Sequence, residues 1–324
     1  MKLIIQLPCY NEARHLPATL ACLPRAVPGF DSVEWLVIDD GSGDDTAAVA
    51  LAAGVDHVVR HKRNLGLARA FESGLRAAVA RGADVVVNTD ADNQYCADDI
   101  PLLTAPIVAG QADIVVGERP IASIAHFSRA KKILQKLGSA AVRWVSNTTV
   151  MDAPSGFRAF SREAALRLHV FSDYTYTLET IIQAGQKNMP IVSVPIRVNG
   201  PTRESRLVRS IPSYVQRSVG TMLRIFITYR PLRFFSLLAI LFIVPGFALG
   251  LRFIYHFLHG HGQGNIQSLI LTAMLIMIGF MMLVIGVIAD LVSVNRKLLE
   301  RTVYLLELRG ASVRPNPPST DARD

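Results

Sequence analysis

Short charge-free runs of aliphatic and β-branched residues recur along the first 120 residues, and each closes in a polar cluster. Leu3-Ile4-Ile5-Gln6-Leu7-Pro8 leads into Tyr10-Asn11-Glu12, and Trp35-Leu36-Val37-Ile38 into Asp39-Asp40-Gly41-Ser42-Gly43-Asp44-Asp45-Thr46. His57-Val58-Val59 precedes Asn64-Leu65-Gly66-Leu67-Ala68, Val85-Val86-Val87 runs into Asn88-Thr89-Asp90-Ala91-Asp92-Asn93-Gln94, and Ile114-Val115-Val116-Gly117 ends at Glu118-Arg119. Runs that are apolar throughout, rather than alternating, are strands buried on both faces. The intervening residues 13–23, 46–53 (with Asp44 placed to cap) and 64–80 read as helices, as do residues 175–186 before a late strand at 191–196. Strand–helix alternation predicts an α/β domain with a mostly parallel sheet covered on both faces. The polar clusters then converge on the carboxyl edge of that sheet, where open α/β sheets bind ligands.

Asp90 and Asp92 are the most informative pair. Positions i and i+2 of an extended chain face the same side. Two carboxylates in one place repel, and one would tend to protonate unless a cation joins them. Oxygen donors, with Gln94 adding a neutral one, suit Mg²⁺ or Mn²⁺, which keep positions open for substrate phosphates. A dinucleotide fold would carry a Gly-x-Gly-x-x-Gly turn after the first strand. Here that turn is Pro8-Cys9-Tyr10-Asn11-Glu12, without glycine, and there is no P-loop. The phosphates must be held another way, and a metal at Asp90 and Asp92 supplies it.

The second half of the chain has a different character. Residues 234–251 and 268–289 are free of charge, and at about 1.5 Å per residue either run is long enough for a hydrocarbon core of about 30 Å. Arg217, Arg224, Arg230 and Arg233 precede the first run, Arg296, Lys297 and Arg301 follow the second, and the connector 259–267 has no Lys or Arg. The positive-inside rule puts both termini in the cytoplasm. The formal net charge of +8 fits an anionic membrane surface rather than nucleic acid. Cys9, Cys22 and Cys96 have neither metal-site spacing nor that of a secreted disulfide framework, and read as reduced thiols. The apolar run after Lys2 is broken by Pro8, Asn11 and Glu12 and does not read as a signal peptide.

Pro8-x-Tyr10-Asn11-Glu12, Asp39-Asp40-Gly41-Ser42-x-Asp44-x-Thr46, Asn64-x-Gly66-x-Ala68 and Asp90-Ala91-Asp92-x-Gln94 together resemble the signature series of the inverting family 2 glycosyltransferases of GT-A fold. Asp152-Ala153-Pro154-Ser155-Gly156-Phe157-Arg158 resembles a segment of one subgroup, the polyprenyl-phosphate glycosyltransferases related to dolichol-phosphate mannose synthase. The resemblance implies that Pro8, Tyr10 and Glu12 line the nucleoside pocket, with Asp39 reaching the base. Asp90, Asp92 and Gln94 would hold the metal and diphosphate, and Asp152 would be the general base. Arg203, in the basic loop 202–206, would fold over the diphosphate. Residues 127–137 form a basic amphipathic segment at the membrane surface. There Arg119, Lys131 and Gln135 would meet the lipid phosphate; relatives often carry arginine at position 131 and serine at 135.

The expected organisation is a cytoplasmic GT-A domain over 1–206, a basic juxtamembrane segment over 207–233, two transmembrane helices within 234–292, and a basic cytoplasmic tail over 293–324 with a disordered end. The expected partners are a UDP- or GDP-linked sugar, a polyprenyl phosphate and a membrane, expected to be a bacterial inner membrane, with self-association left open. Two alternatives stand beside this reading. A processive polysaccharide synthase of the same superfamily would show Gln-x-x-Arg-Trp, whereas Ala140 stands where the glutamine of Arg143-Trp144 should be. A non-catalytic membrane scaffold would not need Asp90, Asp92 and Asp152.

Overall fold

The computed structural model describes residues 1–120, 129–170, 176–199, 226–259 and 266–312, with 216, 219, 220, 223 and 224; the side chains of 129–135, 137, 145, 297 and 307–312 lie outside that description. The chain divides into two compact units, residues 1–222 with 304–324, and residues 223–303.

The first unit is built on β1 (Lys2–Cys9), β2 (Ser32–Asp39), β3 (His57–Arg60), β4 (Val85–Asn88), β5 (Ile114–Glu118), β6 (Arg158–Ser161) and β7 (Ile191–Pro195). They form one sheet in the order β3-β2-β1-β4-β6-β5-β7. The β1–β2, β1–β4, β2–β3 and β5–β7 pairings are parallel. Strand β6 is antiparallel to both β4 and β5. The sheet is therefore mostly parallel, as expected, but with an inserted antiparallel strand that the sequence does not announce. Its four residues begin with a charged arginine, and only their neighbours on both sides make them a strand.

The helices are α1 (Leu16–Cys22), α2 (Thr46–Ala52), α3 (Leu67–Ala80), α4 (Ile100–Val108), α5 (Arg129–Ser146), α6 (Arg162–Arg167) and α7 (Thr177–Gln186). Helix α1 starts later than expected because Asn11 is in the left-handed region (φ 54°) and the backbone N–H groups of His15 and Leu16 turn back to the Glu12 carbonyl. The core lies on the sheet: Leu3, Ile4, Ile5 and Leu7 of β1 and Val85, Val86 and Val87 of β4 are fully buried. Pro8 stands two residues past the last β1–β4 pair, Gln6 with Asn88. Its missing N–H therefore breaks no bond to β4.

In the second unit, α8 (Pro231–Leu258) and the greater part of α9 (Ile266–Ser312) are each long and apolar enough to cross a bilayer. At ~1.5 Å per residue the 28 residues of α8 reach about 42 Å. The 47 residues of α9 reach about 70 Å, far more than a hydrocarbon core of about 30 Å needs. The helix thus continues well beyond Asp290, through a region the sequence suggests is only a tail. Small residues set the contact between the two. A Cβ on Gly279 would sit 2.4 Å from Ile243 and 3.0 Å from the Ala239 carbonyl, and one on Gly246 would sit 3.0 Å from Leu275. Apolar tails give no hydrophobic drive for helix pairing, so such close backbone approach supplies the packing.

Candidate active site

Three of the sequence clusters, 10–12, 39–46 and 64–68, are interlocked at the carboxyl edge of the first unit's sheet. After β1, the Asn11 N–H donates to Ser42 Oγ (3.0 Å), and Asn11 Oδ1 accepts from the Gly43 N–H (2.9 Å). The Glu12 N–H donates to Thr46 Oγ1 (2.9 Å). Asp44 accepts from the Ala13 and Thr46 N–H groups (both 3.1 Å). Burial would raise its pKa, but the Thr46 hydroxyl, which also donates to it, and these N–H groups more than offset that and hold it below the usual carboxylate value. Asp40 accepts from the Leu65 and Gly66 N–H groups (2.9 and 2.8 Å) and from His61 Nδ1 (2.7 Å). His61 Nε2 meets Ser73 Oγ at 3.0 Å. This Asp–His–Ser chain has the order of a hydrolytic triad, but Ser73 lies inside α3 and the carboxylate holds the turn that starts that helix. Gly41 is at φ 69°, and a Cβ there would stand 2.3 Å from the Arg63 backbone, so only glycine fits. Much of the motif series is thus a frame that joins the loops.

Within the frame, Tyr10 is 43 % exposed, a flat ring at the mouth of the site. Glu12 and Asp39 are buried; Asp39 accepts from the Ser42 N–H (2.9 Å) and pairs with Arg60 (3.1 Å). Asp90, Asp92 and Gln94 follow β4 and are half-buried. Asp92 Oδ1 accepts the Gln94 N–H at 3.2 Å. Among the described residues no three His, Cys, Asp or Glu side chains surround a cation position. Two carboxylates and an amide oxygen fit Mg²⁺ or Mn²⁺ nonetheless, because such ions take one or two protein carboxylates and fill the remaining positions with phosphate oxygens and water.

The 152–158 segment meets β4 from the other side. Asp152 is fully buried, and both its oxygens are taken by Arg119: Nε to Oδ2 at 2.7 Å and Nη2 to Oδ1 at 2.9 Å. The sequence assigns these two residues separate tasks; the structure makes them one bidentate pair. Burial alone would lower the Arg119 pKa, but Tyr95 and Asp152 more than offset it and the pKa is raised. Gly156 lies against Asp90, where an added Cβ would be 3.3 Å from both carboxylate oxygens. Its N–H donates to Tyr95 Oη (3.0 Å), and its carbonyl accepts from Asn88 Nδ2 (2.9 Å). Asn88 also donates to Tyr176 Oη (2.8 Å) and accepts from Gln6 Nε2 (2.9 Å). Burial and the nearby Asp90 charge push the Tyr95 hydroxyl up to about 12 and also raise that of Tyr176 well above its usual value, so both act as neutral phenols. Tyr95 also feels Arg119 and Asp152, which places it amid both halves of the site.

Arg158, fully buried, holds the segment from beneath. It donates to the carbonyls of Ala153 (2.7 Å), Ser155 (2.8 Å) and Thr177 (2.8 Å) and to Thr180 Oγ1 (2.6 Å). Burial pushes its pKa down to about 10. Sequence reasoning includes Arg158 in a motif without giving it a task, and misses Asn88, Tyr95 and Tyr176. Tyr95, directly after Gln94, offered the one local signal. Lys131 and Gln135 stand on α5 with side chains outside the described ones, and Arg203, with most of the 207–233 segment and all of 313–324, lies outside the described residues.

A mixed sheet of this order, with carboxylates beyond β4 and a buried cation–carboxylate pair beyond β5, defines a GT-A-like glycosyltransferase domain. Residues 4–168 match the family described as Glycosyl transferase family 2, and the chain belongs to that family. It is 30% identical over 206 residues to an undecaprenyl-phosphate mannosyltransferase of Micrococcus luteus, covering 60% of this chain and 83% of that protein. It is 28% identical over 204 residues to a polyprenol monophosphomannose synthase of Mycolicibacterium smegmatis, covering 60% and 76%. Among solved structures, a glucosyl-3-phosphoglycerate synthase from Mycobacterium tuberculosis in complex with Mn²⁺, UDP and glucosyl-3-phosphoglycerate is similar in fold, with a TM-score of 0.55 at 22% identity over 69% of this chain and 79% of that one.

Proposed function

We propose that this chain is a membrane-anchored inverting glycosyltransferase that moves a sugar from a nucleotide-diphosphate donor to a polyprenyl phosphate at the cytoplasmic face. The observation that carries the reading is that one segment holds both parts of the site: it carries Asp152, paired with the buried Arg119, and Gly156, which lies against Asp90 and donates its N–H to Tyr95 Oη. An anionic leaving group and an anionic acceptor need such an arrangement: a cation site for one, a fixed guanidinium for the other. The sugar transferases of Micrococcus luteus and Mycolicibacterium smegmatis, and the UDP and Mn²⁺ of the similar fold, support the same direction.

In this reading Tyr10 stacks on the nucleobase, and Pro8, Glu12 and Asp39 shape the nucleoside pocket. Asp90, Asp92 and Gln94 hold Mg²⁺ or Mn²⁺, which when bound neutralises charge on the departing diphosphate. Arg203 adds charge on the donor side. Arg119 receives the lipid phosphate, with Lys131 and Gln135 as further contacts from α5. The bidentate pair uses two of the roughly five N–H donors of a guanidinium, so it orients Arg119 without exhausting it. The acceptor oxygen attacks the anomeric carbon opposite the diphosphate, and an α-linked donor gives a β-linked product. A phosphate monoester, with a second pKa near ~6, is already largely ionised at neutral pH. Asp152, expected as the base, therefore serves chiefly to hold Arg119, and positioning carries most of the rate. Helices α8 and α9 span the bilayer with both termini cytoplasmic, tethering the catalytic domain to the membrane that holds the lipid acceptor. The test is a screen of radiolabelled UDP- and GDP-sugars with membranes holding the full chain and a polyprenyl phosphate. One donor should yield lipid-extractable label that chelator suppresses; no lipid label from any donor would contradict the proposal.

A further inference from the structure

The loop that carries Asp92 and Gln94 is shaped from outside itself. The Ala91 carbonyl accepts the Thr19 hydroxyl of α1 at 2.7 Å, both groups buried. The Asn93 carbonyl accepts Asn199 Nδ2 at 2.9 Å, and the Gln94 carbonyl accepts the Asn199 backbone N–H, also at 2.9 Å. Tyr95 and Val198 form an antiparallel bridge, and the Cys96 N–H donates to the Arg197 carbonyl at 3.4 Å. Arg197 is itself tied to Asp99, by its N–H at 2.6 Å, Nε at 2.9 Å and Nη2 at 2.7 Å. Asn93 sits in the left-handed region (φ 53°), which a loop keeps only when its surroundings hold it there.

The bracing acts on backbone carbonyls, so it fixes the loop's shape without depending on the side chains of Asp90, Asp92 or Gln94. Asn199 grips the successive carbonyls of Asn93 and Gln94 with one side-chain and one main-chain donor, and its Nδ2 also reaches the Tyr95 carbonyl at 3.5 Å, across more than a hundred positions of sequence. An aspartate there would keep the shape of the side chain, lose the donor, and turn a carboxylate oxygen toward a carbonyl oxygen.

We propose that Asn199 and Thr19 are positioning residues that preorganise the Asp92–Gln94 loop for a divalent cation and nucleoside diphosphate. This rests on the assignment of Asp92 and Gln94 to the metal. A loop held in its binding shape loses little order when the ion arrives, whereas a freed loop must be ordered at the expense of affinity. Partners that orient ligands without touching the metal are worth about 10- to 100-fold in metal affinity.

The experiment is Mn²⁺ binding to the purified full-length chain in detergent, read by the free-Mn²⁺ paramagnetic signal with UDP or GDP present. It is accompanied by hydrogen exchange over residues 90–96 and by thermal melting. Asn199→Asp and Thr19→Val should each weaken Mn²⁺ binding by about 10-fold or more and speed exchange in that segment. Thr19→Ser, which keeps the hydroxyl, should return to the wild-type value. A purely structural role would lower the melting temperature and leave Mn²⁺ affinity unchanged, and that result overturns the proposal. Asp92→Asn separates the two levels. If it abolishes Mn²⁺ uptake while Asn199→Asp and Thr19→Val bind as wild type, the bracing is wrong and the metal assignment stands. If Asp92→Asn binds Mn²⁺ as wild type does, or wild type takes up none, the assignment fails and the positioning proposal falls with it.

Discussion

Arg119 and Asp152 have little meaning apart. A buried ion pair that loses one partner strands the other charge, at a cost of about 3–5 kcal/mol. Arg119→Ala and Asp152→Ala should each destabilise the first unit by roughly that amount, and the double variant by clearly less than the sum. A double-mutant cycle by denaturant unfolding measures the coupling, and additive losses would deny that the pair is a unit. The milder Asp152→Asn separates tasks kinetically. If Asp152 only orients Arg119, the KM for the lipid phosphate rises as kcat falls, while donor affinity holds; a large loss of kcat alone, with KM unchanged, would mark a base. At the metal loop, Asp92→Asn should remove most turnover, and excess chelator should do the same to wild type. Full activity in chelator would deny the metal a role. Both carboxylates were visible in the sequence because i and i+2 spacing at a strand's end is a local signal. The Arg119–Asp152 pairing was not, because the two residues are 33 positions apart and the contact depends on where β6 inserts.

The same contrast holds for the elements. Strands β1, β2, β4 and β5 are near-continuous aliphatic runs and could be read directly; β6 could not, since Arg158 opens it and its burial comes from β4 and β5. The loop before β6 is where structure most exceeds sequence. Gly156 is fixed by Tyr95 and Asn88 and pressed against Asp90, and an added Cβ would also stand 3.0 Å from Tyr176 Oη. Gly156→Ala requires Asp90 to give by a few tenths of an ångström and should weaken Mn²⁺-dependent donor binding by about 10-fold. Calorimetry with UDP and GDP in Mn²⁺ is the check, and unchanged affinity would show that Asp90 tolerates the shift. The stacking of Tyr176 on Phe71, 3.8 Å between ring centres, contributes about 0.5–1.5 kcal/mol and fixes the entry to α7. In the helical pair, Gly279→Leu has no room against Ile243 and should cost about 1–3 kcal/mol of hairpin stability. Reduced detergent-resistant folding of that variant, with an exposed-face control such as Phe280→Leu unaffected, is the expected result.

For the whole molecule, the charge-free runs were legible because a bilayer imposes a length that no other solvent does. The continuation of α9 to Ser312 was not, because charged residues after Asp290 end the hydropathy signal without ending the helix. Deleting everything after Arg230 should leave donor binding and lower the rate on membrane-embedded acceptor, since the anchor supplies local concentration. Equal rates with and without the spans would show that they are not needed for acceptor capture. Labelling of single cysteines in intact cells should reach only the 259–267 connector from outside; labelling beyond residue 313 would reverse the topology. The central claim is tested most directly by the product itself. The purified chain alone, in liposomes holding a polyprenyl phosphate and supplied with its nucleotide sugar, should yield a lipid whose mass has grown by one sugar on an intact monophosphate. A polymer, a free sugar, or an unchanged lipid under the same conditions would contradict it.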